Sequence, residues 1–246
     1  MKVKKRRRFR PLFLIPILIL LLFAATLFFR INKITIYGAS LFSPDEILKT
    51  AGIHYGDNLL WLNEEEIAAH INSNRYLTYT GIWRDLPGHL LLYIEENHPH
   101  AYVSYMGRTL WLDKDCIVLE DDLSGNAVTL DIPQILGAEI ISAVQGKKVL
   151  FKSETQEKTL QEILTGLDDY GLDLKMSVID LTDSNNLLLY TVENMQIQLG
   201  NNENIPGKIR LIAGVYNTSA EIEGLSLSGG RLDVSGGKWA DFLPAQ

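Results

Sequence analysis

The chain has 246 residues, a formal net charge of −7 and a single cysteine, so no internal disulfide closes it and its stability rests on apolar burial. Eight of the 23 Lys and Arg fall in residues 2–30, which leaves 15 against all 30 Asp and Glu in the remainder. So acidic a remainder excludes a domain that tracks nucleic acid or coats anionic lipid.

The first element is a basic tail, residues 1–10, with Lys2, Lys4, Lys5, Arg6, Arg7, Arg8 and Arg10 and no acid. It runs into an uncharged, strongly apolar stretch from Pro11 to Phe29, closed by Arg30. As a helix, nineteen residues rise ~28 Å, close to the ~30 Å of a bilayer's hydrocarbon. The stretch exceeds the apolar core of a secretory signal, about 7–15 residues, and ends in Leu27-Phe28-Phe29-Arg30 instead of a small-x-small cleavage site. The reading is a retained transmembrane helix over 11–29, with the basic tail cytoplasmic and the rest outside, a single-pass type II arrangement.

Residues 33–37 alternate and are β-branched, which predicts a strand ended by Gly38. Ser43-Pro44-Asp45-Glu46 carries an N-cap, a proline in the first turn and a capping-box glutamate, and Gly52 stops the helix. Asn63 caps a second helix whose first turn holds Glu64, Glu65 and Glu66. Between the two, the run Leu59-Leu60-Trp61-Leu62 is expected to be buried. Strands follow at about 78–86 and 89–96 around the Leu86-Pro87-Gly88 turn.

Further on, Ala101–Met106 and Thr109–Asp113 flank Gly107-Arg108 as a hairpin, and Cys116–Glu120 continues it. A long helix starts at the Ser153/Gln156 capping box, keeps an apolar stripe through Leu160, Ile163, Leu164 and Leu167, and ends at Gly171. Strands are expected at 174–181, 186–192 and 195–199, a short helix at 206–216, and a last short strand over Arg231-Leu232-Asp233-Val234.

Several of these segments carry a family likeness. Ile34-x-Ile36-x-Gly38, Ser43-x-x-Glu46-Ile47 and Gly56-x-Asn58-Leu59 resemble the opening of a POTRA domain. Trp83-Arg84-Asp85-Leu86-Pro87 with Leu90 and Ile94, then Glu96-x-x-Pro99-x-Ala101, resemble its closing stretches. Leu112-Asp113 to Val118-Leu119, and Gln198-Leu199-Gly200 with Lys208 and Leu211, resemble later motifs of the FtsQ/DivIB family of bacterial cell-division proteins. The departures are Asn97, where the family usually has Arg, and Asp115-Cys116, where a turn glycine is common. The expected fold is α+β: an N-terminal transmembrane helix, a β-α-α-β-β POTRA domain over 31–98, and a mixed α/β domain over 99–228 with a largely antiparallel extended sheet. A final edge strand and short tail occupy 229–246.

Catalytic patterning is weak. His98-Pro99-His100 has metal-ligand spacing, but two ligands do not make a site, and His54, His70 and His89 are joined to it by no ligand pattern. No metal or cofactor is therefore expected. Glu64–Glu66, Glu95-Glu96, Asp121-Asp122 and Asp168-Asp169 sit at turns or element ends, without the separation of a glycosidase pair. The glycine-rich end at 229–239 lacks the spacing of a phosphate loop, since Leu232 and Trp239 stand at required positions. The reading is non-enzymatic.

The resemblance implies a divisome scaffold at the septal membrane. Its partners would be FtsB/DivIC-type and FtsL-type single-pass proteins, and it would help localise or regulate septal peptidoglycan synthesis. It also implies partner capture beside the last strand, with Arg231, Leu232, Asp233 and Val234 as an edge open to β-augmentation and Trp239 and Phe242 as anchors. A POTRA-bearing translocation or sensory component, and an exported cell-wall hydrolase, are the alternatives.

Overall fold

A computed structural model of the chain describes residues 14–122, 132–221 and 226–245. The basic tail and the first three residues of the expected span lie outside them. Helix α1 covers Leu14–Phe28, and no helix of the described residues is long and apolar enough to cross a membrane. The chain divides into two compact units, Met1–Asn97 and His98–Gln246.

In the first unit, strand β1 (Lys33–Tyr37) leads to helices α2 (Pro44–Ala51) and α3 (Glu64–Asn72), then to β2 (Leu77–Asp85) and β3 (His89–Glu96). The sheet order is β1-β3-β2. The β2–β3 hairpin is antiparallel, and β1 lies parallel to β3 because two helices carry the chain across between them. Both helix starts are as the caps predict: Ser43 and Glu46 form the reciprocal capping box, and the Asn63 side chain accepts from the N–H groups of Glu65 and Glu66. Ile47, Leu59, Ile67 and Ile71 are buried with Leu90, Leu92 and Ile94 in one core.

The run from Leu59 to Leu62 departs from expectation. Leu59 is fully buried, but Leu60 is exposed and Trp61 is 69% exposed. The Asn58 carboxamide accepts from Leu60 N–H and folds the segment into a tight turn. Arg84 then holds it from β2, donating Nε–H to Leu59 O at 3.1 Å and Nη2–H to Leu62 O at 3.2 Å. Two backbone positions explain other motif residues. Gly38 has φ +87°, and a Cβ there would sit 1.9 Å from the Ile94 carbonyl oxygen. Glu96 accepts from the N–H groups of Ser40, Leu41 and Phe42 and from the Ser40 hydroxyl at 2.6–3.0 Å, pinning the loop after β1 to the end of β3. Asn97 keeps the neighbouring ladder closed, donating its amide to Arg75 O and Thr78 Oγ1.

Among the described residues, the second unit is built on one nine-stranded sheet. Its strands are β4 (Ala101–Tyr105), β5 (Arg108–Leu112), β6 (Val118–Asp122), β7 (Gln134–Leu136), β10 (Met176–Asp180), β11 (Leu187–Thr191), β12 (Gln196–Gly200), β13 (Arg231–Asp233) and β14 (Asp241–Leu243). A separate ribbon pairs β8 (Ile140–Ser142) with β9 (Leu150–Phe151). The large sheet runs β14-β13-β12-β11-β10-β7-β4-β5-β6. It is more mixed than expected, since β4–β7, β7–β10 and β12–β13 are parallel.

Helix α4 (Glu154–Asp169) packs against α5 (Ile205–Glu221), and both share the core of the sheet. Their approach is close at Gly166, where a Cβ would meet Ile209 at 3.2 Å. Helix α5 is longer than the 206–216 expected. In the turn before β6, Cys116 adopts φ +63° where a glycine is common. The Asp113 carboxylate secures that turn by accepting from Asp115 and Ile117 N–H. Burial, with Asp113 beside it, pushes the Cys116 thiol up to about 12, which leaves it un-ionised and unreactive at neutral pH.

Candidate functional site

The end of the chain places the expected partner-binding residues on two adjacent strands, and the edge is not where the sequence reading put it. Strand β13 is interior: it pairs parallel with β12 on one side and antiparallel with β14 on the other. Leu232 and Val234 are fully buried in the core, so they are not available to a partner. Arg231 is exposed and donates Nη2–H to Gln198 Oε1. Asp233 accepts from Ser235, whose hydroxyl and N–H hold its carboxyl below the ordinary range.

The outer strand is β14, paired in the register Arg231↔Leu243, Leu232↔Phe242 and Asp233↔Asp241. Its second edge carries no strand of the described residues. Period-two alternation sends Phe242 to the core face with Leu232, where it is half-buried and packs against core residues. The same alternation leaves Asp241 and Leu243 outward, Leu243 at 65% exposed. Trp239 is 61% exposed and outside the core. Of the two expected anchors, then, Phe242 closes the sheet and Trp239 stands free of it. The sequence reading missed β14 because three residues between a Gly-Gly turn and the tail give no periodicity to read.

The first unit offers a second surface. Tyr37 and Tyr93 stack with ring centroids 5.1 Å apart on the solvent face of the three-stranded sheet. Trp83, paired with Leu91 two residues from Tyr93, shares that face and is exposed.

The histidine pair is divided by burial. His98 is exposed and His100 is buried, their rings stacked with centroids 4.2 Å apart. The fold brings Asp168, from the last turn of α4, to 3.3 Å from His100 Nε2. Sequence reasoning did not join Asp168 to the pair, as some seventy residues separate them. A cleft at the start of α4, of about 400 Å³, is lined by Ser153, Thr155, Gln156, Thr182 and Asn185. The one carboxylate on its wall, Glu139, is paired with Lys152 at 3.0 Å.

The sequence model for the FtsQ-type POTRA domain matches residues 29–97, the first unit. Over more of the chain, similarity extends to the cell division protein DivIB of Clostridium tetani, 22% identical over 211 residues, covering 86% of this chain and 78% of that protein. The DivIB of Clostridium acetobutylicum is 24% identical over 211 residues, with 85% and 80% covered. The cell division protein FtsQ of Syntrophotalea carbinolica is 23% identical over 184 residues, with 74% of this chain and 64% of that protein covered. The first unit thus belongs to the FtsQ-type POTRA domains, and it is followed by a mixed sheet domain in a chain that is similar to both FtsQ and DivIB cell-division proteins over most of its length.

Proposed function

We propose that this cell-division protein is a non-enzymatic scaffold, anchored by residues 11–29, that captures single-pass division proteins of the FtsB/DivIC and FtsL types at the septal membrane. Capture occurs by addition of an extended partner segment to the outer edge of β14, and through it the protein helps localise or regulate septal peptidoglycan synthesis. The observation that carries the reading is the outer flank of β14, with which no strand of the described residues pairs, beside exposed Trp239 and Leu243. An unpaired edge offers backbone donors and acceptors in register, and an exposed tryptophan next to it supplies a side-chain anchor. The aromatic face of the POTRA unit supports contact with further partners close to the bilayer.

The test is a photo-crosslinking amino acid placed in turn at Asp241 and at Leu243 of the full-length chain in dividing cells. Crosslinks to the FtsB/DivIC-type partner from these positions support the assignment. A partner that crosslinks from Glu120 on β6, and from neither of these, refutes it. Removing everything after Ser228 is a poor substitute, because it strips Leu232 and Val234 from the core and unfolds the sheet along with the site.

A further inference from the structure

His100 is held in one tautomer by its own backbone neighbour. Its Nδ1 lies 2.9 Å from the His98 carbonyl oxygen, and because a carbonyl only accepts, that nitrogen carries the proton. In the neutral ring Nε2 is then a bare lone pair. It is buried, has no hydrogen-bond partner, and faces the Asp168 carboxylate oxygen at 3.3 Å, acceptor against acceptor. Such an arrangement is repulsive unless a positive charge lies between the two. A backbone carbonyl fixing one ring nitrogen while the other turns toward a carboxylate is also how metal-binding histidines are oriented.

We propose that His98, His100 and Asp168 form an open divalent-metal site of the zinc type. The candidate ligand atoms of the three residues lie within 4.8 Å of one another. Two ligands on one tetrahedral zinc, each at ~2.0–2.2 Å, stand roughly 3.3–3.5 Å apart, which matches the separation of His100 Nε2 and Asp168 Oδ1. His98 is exposed, so its ring closes the third position by rotation about its side-chain bonds without disturbing the core. Two imidazoles and one carboxylate suit Zn²⁺, leave the fourth position to water, and balance one of the ion's two charges. The bound ion would tie the chain before β4 to the C-terminal turn of α4.

Zinc titration of the metal-free, untagged full-length chain by calorimetry tests this, with Co²⁺ absorption as a check on coordination. One equivalent is expected to bind and to raise the thermal midpoint. His98→Ala and Asp168→Asn should each weaken binding roughly tenfold or more and remove the thermal shift. His98→Ala carries the decision, because an exposed side chain can be removed without unfolding the unit. Zinc uptake unchanged in His98→Ala, or no uptake by the parent chain, overturns the site.

Discussion

At Gly38 the backbone leaves no room for a side chain. A side chain there meets both a left-handed φ and the Ile94 carbonyl oxygen at 1.9 Å, so Gly38→Ala should destabilise the first unit by roughly 3 kcal/mol, read as a shift in its urea midpoint. Glu96 makes a different kind of demand. Burial pulls its carboxyl up, but the N–H of Phe42, the Ser40 hydroxyl and the N–H groups of Leu41 and Ser40 outweigh that and hold it at about 2. Since the folded value lies below the unfolded one of ~4.3, the stabilisation is fully present above the unfolded value and disappears as pH falls through about 2. Thermal midpoints followed from neutral pH into that acid range should fall more steeply in the parent chain than in Glu96→Gln, which has no such charge to lose. The motif glutamate was visible in the sequence; its task was not, because the N–H groups it holds lie more than fifty residues earlier. Asn97 and Cys116 show the converse. Each departs from a common family residue, and each is accommodated, Asn97 by side-chain hydrogen bonds and Cys116 by a turn that the Asp113 carboxylate secures.

At the scale of elements, legibility follows how locally each one is determined. Helices α2 and α3 begin where their caps sit in the sequence, because a cap needs only the next three residues. The β2–β3 hairpin is equally readable, its strands long and its turn rich in Pro and Gly. Strands β7, β8, β9 and β14 are two or three residues long, too short to show an alternation, and β7 is in addition placed by β4 and β10, whose paired residues lie more than thirty residues away on either side. The interior position of β13 escaped because the strand that covers it, β14, is one of these short ones. Its consequence is measurable: Phe242→Ala, which removes half-buried packing from β14, should cost roughly 1–3 kcal/mol. Trp239→Ala, at an exposed site, should change stability by no more than about 0.5 kcal/mol. If β14 is the docking edge, the tryptophan variant should nonetheless lose roughly tenfold or more in partner affinity, measured by co-purification of the full-length chain with its partners. Equal stability losses in the two variants would place Trp239 in the core after all.

Over the whole molecule, each unit has its own apolar core. Ile67→Asp, which buries a charge without a partner, should therefore abolish amide protection in residues 33–96 while leaving that of β10, β11 and β12 unchanged. The His98–His100–Asp168 cluster is the part least accessible to reading the chain, since its third member joins only when α4 is docked. The nine-stranded sheet also has a second end, at β6, and it differs in character from the first. The start of β6 is occupied by the 146–149 segment, with Gly146 N–H donating to Val118 O and Val118 N–H donating to Lys147 O. Its far half is Glu120, Asp121 and Asp122, carboxylates that discourage an incoming strand. A sheet with two receptive ends would let copies of the chain add head to tail into an open filament. If β14 is the docking edge, a blunted opposite end means that pairing stops after a single guest, and the sheet is then finished by another molecule and does not propagate.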